Sequence, residues 1–297
     1  MGKALADAYP VARAIFEEVD EALGERLSET IWNGPAEALT LTANAQPALM
    51  AVSLAALRAI EAEAGAEVWR DVAFVAGHSL GEYSALAAAD TFSVADAARL
   101  LRLRGKAMQE AVPVGEGAMA ALLGLDYEAV RAVVGEAAAG DCCDAANDNA
   151  PGQVVVSGSR AAVERAIGLA KARGAKRAIL LPVSAPFHSG LMRPVGPIMA
   201  EALAAVPMRA PRVPLVANVL ARPIEDPEEI RRRLVEQVSG AVRWRESVEF
   251  MAGAGVGRFV EIGAGKVLAG LVKRMAPEAE LVSVGTPDQV AAFAARG

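Results

Sequence analysis

A serine flanked by two glycines is the residue in this sequence best suited to nucleophilic chemistry. Gly77 and Gly81 lie two positions before and after Ser79, between the apolar run 72–76 and an alanine-rich segment. Glycines here permit a sharp turn from strand to helix that lifts the serine oxygen above a sheet. The backbone N–H of Leu80, at the start of that helix, would point to where an oxyanion forms. The pattern predicts a nucleophile elbow, with Ser79 as nucleophile and Leu80 as oxyanion donor.

The chain offers two histidines as a general base for this serine. His78 is the immediate neighbour of Ser79, and consecutive side chains point apart, so it cannot readily reach the serine oxygen. His188 is therefore the predicted base, because a serine hydroxyl is a poor nucleophile at neutral pH without one. The acidic residues between Ser79 and His188 fall at predicted helix starts or within a separate unit. We therefore expect a backbone carbonyl, rather than a carboxylate, to orient His188.

Arg104 lies on the apolar stripe of a predicted helix that begins after Ser93. Leu101 and Met108 share that stripe at helical spacing. A buried guanidinium needs an anion, since an unpaired buried charge costs several kcal/mol. The partner is either a carboxylate of the protein or a carboxylate of a substrate, and periodicity alone favours the protein carboxylate.

Apolar runs and helical stretches alternate along most of the chain, which predicts an α/β fold. Before the run at 72–76 the pattern is helical, over residues 3–24 and from about 47 to 63. Residues 117–186 follow the order strand, helix, strand, helix, strand, with a further short strand near 142–146. That order is typical of a split βαβ, ferredoxin-like unit. The sequence therefore predicts a large α/β domain interrupted by a smaller inserted unit.

Composition and charge exclude several classes of protein. With 297 residues and 54% hydrophobic content, the chain is long enough to bury a sizeable core. A net charge of −6 without a basic run argues against nucleic-acid binding. Charges interrupt the N-terminus and polar residues interrupt the stretch 38–57, so neither a signal peptide nor a membrane span is predicted. Adjacent Cys142 and Cys143 indicate a reducing, cytoplasmic setting, and the cysteines and histidines form no metal-site pattern.

Five segments together resemble the malonyl-CoA:acyl-carrier-protein transacylase family of bacterial type II fatty-acid synthesis. They occur in the family's order over nearly the whole chain, and they are specific jointly, whereas the elbow alone is not. The segments are Gly77-His-Ser-Leu-Gly-Glu-Tyr-Ser-Ala85, Arg104-Gly-Lys-Ala-Met-Gln109, Asn149-Ala-Pro-Gly-Gln-Val154, Ala185-Pro-Phe-His188 and Glu261-Ile-Gly-Ala-Gly-Lys-Val267. The resemblance implies an α/β-hydrolase-like parallel-sheet core of residues 1–114 and 187–297, with a ferredoxin-like subdomain inserted at 115–186.

The resemblance also implies a reaction. The malonyl group of malonyl-CoA would pass in ping-pong order through Ser79 to the pantetheine thiol of acyl carrier protein, for fatty-acid synthesis. His188 would serve as base and then acid, and Arg104 would grip the free carboxylate of malonate. Phe187 resembles the bulky residue of malonyl-specific relatives, and we expect Met108 in the same substrate-binding pocket. No cofactor is implied, and we expect a monomer.

Two features depart from the family pattern. The family opens with a short strand and a Gly-Gln-Gly-Ser-Gln turn that supplies a second oxyanion N–H, whereas this sequence begins at Met1-Gly2, after that point. Losing one such donor costs about 10²- to 10³-fold in turnover, so we expect a weakened enzyme or a remnant that binds carrier protein or CoA. Arg243 replaces a glutamine common near the catalytic histidine, and we expect its backbone carbonyl to orient His188. The other alternative to a transacylase is a serine thioesterase, which would pass the acyl group to water.

Overall fold

The computed structural model describes residues 1–295 and shows an α/β protein. Its N-terminal segment is helical, and Pro10 divides the helix predicted over 3–24, because its fixed φ suits a first helical turn. No helix within residues 1–295 has the length and apolar content that crossing a membrane requires. The helices up to the inserted unit are α1 (Lys3–Ala8), α2 (Pro10–Leu23), α3 (Leu27–Asn33), α4 (Ala36–Thr40), α5 (Thr42–Ala64), α6 (Gly81–Ala88) and α7 (Val94–Glu110), with a 3₁₀ turn at Gly65–Trp69.

Helix α5 begins at Thr42, before the start predicted near Pro47. A proline inside a helix removes one backbone hydrogen bond, here the one that the Ala43 carbonyl would accept. Arg102 Nη1, on α7, donates to that carbonyl at 2.7 Å instead. The predicted start was wrong because a distant side chain replaces the bond that the proline removes.

Helix α7 carries the predicted apolar stripe and packs closely on α5. Ser93 caps it as predicted, since its hydroxyl accepts a 3.0 Å hydrogen bond from a first-turn N–H. Gly105 allows the close approach, because a side-chain carbon there would lie 2.6 Å from the Ala43 Cα. Arg104, the preceding residue, is thereby fully buried near the start of α5.

A four-stranded antiparallel sheet follows α7, in the strand order β2 (Cys143–Ala150), β3 (Gln153–Ser159), β1 (Gly117–Leu123), β4 (Arg177–Leu180). Two helices pack against it and share an apolar core with the strands. The strand β2 is longer than the short strand predicted near 142–146, and register shifts interrupt its pairing with β3. The elements are β1 (Gly117–Leu123), α8 (Tyr127–Ala138), β2 (Cys143–Ala150), β3 (Gln153–Ser159), α9 (Arg160–Ala172) and β4 (Arg177–Leu180).

The remainder of the described chain returns to α/β alternation. Strands β5 (Leu215–Ala217) and β6 (Arg222–Ile224) form an antiparallel pair, and β7 (Arg258–Ile262) and β8 (Glu280–Val284) pair in parallel. The elements are a 3₁₀ turn (Gly190–Met192), α10 (Val195–Ala204), β5 (Leu215–Ala217), β6 (Arg222–Ile224), α11 (Pro227–Gln237), α12 (Trp244–Gly253), β7 (Arg258–Ile262), α13 (Val267–Met275), β8 (Glu280–Val284) and α14 (Pro287–Ala294).

The strand predicted at 72–76 is reduced to a single bridge in which Val75 pairs in parallel with Leu215. The Val75 N–H donates to the Pro214 carbonyl, and the Val216 N–H donates to the Val75 carbonyl, both at 2.9 Å. The apolar run indicated a longer strand because apolar residues predict burial. A strand also needs neighbouring strands whose backbone groups pair with it along its length, and composition does not show these. The bridge nevertheless joins the segment before the elbow to β5.

Candidate active site

Ser79 occupies the predicted turn at the start of α6. Its φ is 53°, a left-handed conformation that is uncommon for a residue with a side chain. Gly77 makes this turn possible, because a side-chain carbon there would lie 2.0 Å from the Gly81 carbonyl. The Ser79 N–H donates to Asn218 Oδ1 at 2.8 Å, whereas the Leu80 N–H makes no hydrogen bond within residues 1–295. The turn therefore leaves one backbone donor open beside the serine.

His188 and Ser79 meet across 109 positions of sequence, with His188 Nε2 2.7 Å from Ser79 Oγ. On the other side of the ring, Nδ1 lies 2.9 Å from the Gln237 carbonyl and 3.2 Å from the Gly240 carbonyl. Because a carbonyl only accepts, we assign the ring proton to Nδ1, which leaves Nε2 free to accept the serine proton. Backbone carbonyls therefore hold the ring, as expected from the sequence.

The surroundings of His188 keep its ring uncharged. The residue is 4% exposed, and burial lowers its pKa from 6.5 to about 3, with the positive charge of Arg104 acting in the same direction. The neutral imidazole is the form that accepts a proton, so the base is ready well below neutral pH.

Arg243 does not orient His188, and this prediction was wrong. Its carbonyl accepts hydrogen bonds from the N–H and the hydroxyl of Ser247, at 3.0 and 2.8 Å. The physical reason is its position as the N-cap of α12, where the carbonyl accepts the first bond of the helix. Its guanidinium forms an ion pair with Glu246. The orienting carbonyls come instead from Gln237 and Gly240.

His78 turns away from the nucleophile, as predicted. Its Nε2 lies 2.8 Å from Asn149 Oδ1 on β2, and its ring centroid lies 5.7 Å from that of Trp244. Burial lowers its pKa, so this ring is also uncharged near neutral pH. His78 thus connects the elbow to the four-stranded sheet and does not contact the hydroxyl of Ser79.

Arg104 reaches the nucleophile with its charge unpaired. Its Nη1 donates to Gln46 Oε1 at 2.7 Å, and its Nη2 donates to Gln237 Oε1 at 2.8 Å and to Ser79 Oγ at 3.1 Å. All three acceptors are neutral, and no carboxylate within residues 1–295 forms an ion pair with this guanidinium. Of the two partners that the sequence left open, a directly bonded protein carboxylate is therefore absent from the described part of the chain.

Gln237 contacts each member of this cluster, and sequence reasoning missed it. Its side-chain oxygen accepts from Arg104, its Nε2 donates to the Ser79 carbonyl at 2.9 Å, and its own carbonyl holds His188. A neutral amide at the end of an amphipathic helix has no signature of chemistry in sequence. Asn218 was missed for the same reason, although it fixes the elbow by donating from Nδ2 to the Gly77 carbonyl at 2.8 Å.

Glu82, three residues after the nucleophile, is the buried carboxyl of this network. It is 1% exposed and accepts hydrogen bonds from the Asn218 N–H, at 2.5 Å, and from Gln237 Nε2. Burial raises its pKa, while those two hydrogen bonds and the charge of Arg104 oppose the shift and favour the ionised carboxylate. It lies within the elbow motif, so its proximity to Ser79 was a signal that could have singled it out.

Phe187 and Met108 both lie beside this cluster. Met108 is fully buried, with its Sδ 3.9 Å from Gln46 Nε2, so it packs behind a partner of Arg104. Phe187 is half-buried and packs against the main core and against a small cluster that includes Met119. Met108 thus lies near Arg104 through Gln46, and Phe187 directly precedes His188, while their binding of substrate stays a prediction.

A cleft of about 420 Å³ opens onto His188 from the surface. One wall is formed by α8 and the start of β2, including Tyr127 and Asp144, and the other by Ser239 and Ala241. The cleft therefore reaches His188 between the four-stranded sheet and the rest of the chain, whereas Ser79 and Arg104 do not line it.

Comparison with known proteins finds a match over almost the entire sequence. The family model described as the acyl transferase domain matches residues 1–294. The malonyl CoA-acyl carrier protein transacylase of Bacillus subtilis (strain 168) is 46% identical over 291 residues, which are 98% of this chain and 90% of the relative. The protein of the same description from Escherichia coli (strain K12) is 45% identical over 288 residues, or 97% and 92% of the two chains.

Solved structures show the same similarity in three dimensions. The crystal structure of the acyl-carrier-protein-S-malonyltransferase from Bartonella henselae has a TM-score of 0.96 at 55% identity, covering 99% of this chain and 93% of that one. A type II PKS acyl-carrier protein in complex with its malonyl-transacylase matches with a TM-score of 0.93 at 41% identity, covering 100% and 95%.

Proposed function

The chain belongs to the acyl transferase domain family, and from this premise we infer that it transfers the malonyl group of malonyl-CoA to the thiol of acyl carrier protein, for fatty-acid synthesis. One observation carries this function. The Ser79 hydroxyl lies 2.7 Å from a neutral, oriented imidazole and 3.1 Å from a buried guanidinium that forms no ion pair within residues 1–295. A nucleophile, its base and an unpaired cation together suit an acyl group that ends in a carboxylate.

The first half-reaction loads the serine. Ser79 Oγ attacks the thioester carbonyl of malonyl-CoA while His188 Nε2 accepts the hydroxyl proton, and the Leu80 N–H donates to the developing oxyanion. The C–S bond then breaks, and the CoA sulfur takes the proton from His188 as the malonyl ester of Ser79 forms. The Nδ1 contacts with Gln237 and Gly240 hold the ring in place through both proton transfers.

The second half-reaction reverses these steps with a different thiol. The pantetheine thiol of the carrier protein gives its proton to His188 Nε2 and attacks the malonyl ester, and the Ser79 oxygen recovers that proton as it leaves. We place the extended pantetheine arm of either thiol in the cleft beside Tyr127 and Ser239, because that cleft reaches His188. This chemistry needs no cofactor.

Specificity for a malonyl group rests on Arg104. The substrate carboxylate takes two parallel hydrogen bonds from the guanidinium, in place of its resting contact with Ser79 Oγ. A neutral acyl group leaves the same charge buried without an anion, which disfavours its loading. Phe187 crowds an α-methyl branch next to the thioester, and Met108 supports the pocket from behind Gln46.

The domain arrangement follows the same proposal. Residues 1–114 and 187–297 form an α/β-hydrolase-like acyltransferase domain, and 115–186 form an inserted ferredoxin-like subdomain. The strand order β2-β3-β1-β4 with two helices supports the assignment of the insert, and the parallel pairing of β7 with β8 supports that of the large domain. Free thiols at Cys142 and Cys143 support placing the enzyme in the cytoplasm, and we propose that it acts as a monomer.

The destination of the acyl group tests this function. With radiolabelled malonyl-CoA and holo-carrier protein, we expect the label to appear on the carrier protein. When the carrier protein is omitted, the label should remain on the enzyme. Intact-mass analysis detects both adducts. Label released as free malonate at the same rate with and without carrier protein would instead identify a thioesterase, and intact malonyl-CoA with no adduct would identify a binding protein.

The pH dependence of serine loading tests the state of His188. Because burial lowers the pKa of His188 to about 3, the base stays neutral through the mildly acidic range. We expect the rate of loading to stay level from about pH 8 down to about pH 5, whereas an exposed histidine would lose activity through about pH 6.5. Rapid-quench loading followed by intact-mass analysis measures the rate at each pH. A titration centred between about pH 6 and pH 7 that persists in Glu82→Gln, where the buried carboxyl next to Gln237 is removed, would show that the ring is not held neutral.

A further inference from the structure

The positive charge of Arg104 is balanced by a carboxylate that it does not contact directly. Its direct acceptors are the amide oxygens of Gln46 and Gln237 and the hydroxyl of Ser79, none of which carries a charge. The amide of Gln237 stands between the guanidinium and Glu82, because its Oε1 accepts from Arg104 while its Nε2 donates to Glu82 Oε2. A carboxylate is therefore present in the site, but one side chain away from the cation.

The position of Glu82 is fixed by its surroundings. Its Oε1 accepts from the Asn218 N–H at 2.5 Å, and its Oε2 accepts from Gln237 Nε2. Both neighbours are donors, so the group between them is best an ionised carboxylate, which only accepts. Glu82 also lies in the first turn of α6, where the helix dipole favours a negative charge. These contacts prevent the carboxylate from turning to Arg104.

We propose that Glu82 sets the acyl-group specificity of the site, by holding Gln237 as a neutral spacer so that Arg104 is balanced in charge but open to a substrate carboxylate. This inference rests on the proposed function. A carboxylate bonded directly to Arg104 would occupy the guanidinium and compete with malonate. With no carboxylate nearby, the guanidinium would hold malonate more tightly, which slows its release to the second thiol. The spacer allows both binding and release.

Replacing Glu82 by glutamine tests this idea, because the variant keeps the shape and removes the charge. We expect the ratio of malonyl to acetyl loading to rise by about tenfold or more, because the two charges are separated by the amide of Gln237 and their interaction weakens with distance. The KM for malonyl-CoA should fall more than kcat changes. Glu82→Asp is the matched control: it retains the charge, so both rates can fall together while the ratio stays at the wild-type value.

A second variant covers the case in which Glu82→Gln does not fold. Gln237→Glu keeps the backbone carbonyl that holds His188 and places a carboxyl group directly against Arg104. Two adjacent carboxyl groups share one proton, so the total charge stays close to that of the wild type. We expect malonyl loading to fall at least about tenfold relative to acetyl loading, opposite in direction to Glu82→Gln.

Competition between malonyl-CoA and acetyl-CoA, read by intact mass, gives all of these ratios. A ratio that is unchanged in Glu82→Gln, or that moves in the same direction in Glu82→Gln and Gln237→Glu, would overturn the inference while leaving the proposed function intact. Equal losses of both acyl groups in each variant would show that the network is only structural and would also overturn it. Wild-type enzyme that gains no malonyl adduct would overturn the proposed function, and the inference with it.

Discussion

Replacing Ser79 with alanine should abolish the malonyl adduct and lower transfer to the carrier protein by about 10⁴-fold or more, because Ser79 Oγ is the hydroxyl hydrogen-bonded to His188 Nε2. The alanine side chain removes the atom that forms the ester, while the surrounding amide network of Gln237 and Asn218 remains in place. Intact-mass analysis after mixing with malonyl-CoA reads the adduct, and a coupled assay with carrier protein reads the rate.

A serine on the helix that follows the elbow provides the control for this result. Ser84 lies one turn further along α6 and is half-buried, so Ser84→Ala changes a similar side chain away from His188. This variant should load malonate as the wild type does. A malonyl adduct that persists in Ser79→Ala would locate the nucleophile elsewhere in the chain and contradict the proposed mechanism.

Replacing Arg104 with alanine should invert the choice of acyl group. The substrate carboxylate would enter a buried pocket without its cation and lose its charge-assisted hydrogen bonds, whereas an acetyl group loses neither. We expect the ratio of malonyl to acetyl loading to fall by about 10²- to 10³-fold. Competition between the two CoA esters, read by intact mass, gives the ratio directly.

A neighbouring arginine separates the loss of this contact from a general loss of stability. Arg102 lies on the same helix, but it donates to the Ala43 carbonyl and forms an ion pair with Glu25. Arg102→Ala should lower the thermal midpoint and leave the acyl ratio unchanged. An Arg104→Ala enzyme that keeps its preference for malonate would show that the carboxylate is bound elsewhere.

Residue types and their spacing were sufficient to predict the centre of the site. The glycines around Ser79 indicated the elbow, the scarcity of histidines singled out His188, and the apolar stripe of α7 showed that Arg104 is buried. Each of these features is local in sequence or follows from elimination. They therefore did not require knowledge of which segments meet in space.

The network around those residues could not be predicted in the same way. Every residue carries a backbone carbonyl, so no pattern distinguishes those of Gln237 and Gly240 from that of Arg243, to which the prediction wrongly assigned the role. Gln237 and Asn218 act through neutral amides, whose partners are decided only by tertiary packing. Glu82 differs, because it lies inside the motif and its burial follows from the helix that the motif begins.

The same distinction applies to the fold. The helix Tyr127–Ala138 is the first helix of the order predicted over residues 117–186, and its apolar face and its cap by Asp126 are both local features. The start of α5 was wrong because Arg102 compensates Pro47 from another helix. The strand at 72–76 is short because a strand depends on its neighbours as well as on its own composition.

The position of the four-stranded sheet between Ser79 and His188 in sequence also bears on how the protein is made. The elbow is synthesised before the sheet, and the histidine only after it, so a nascent chain carries a serine with ordinary alcohol reactivity. The loop with His188 and the carbonyls of Gln237 and Gly240 must all arrive before the hydroxyl is activated. Unfinished or misfolded chains are thereby spared from reacting with cellular thioesters, and acquisition of an acyl label reports that the whole domain has assembled.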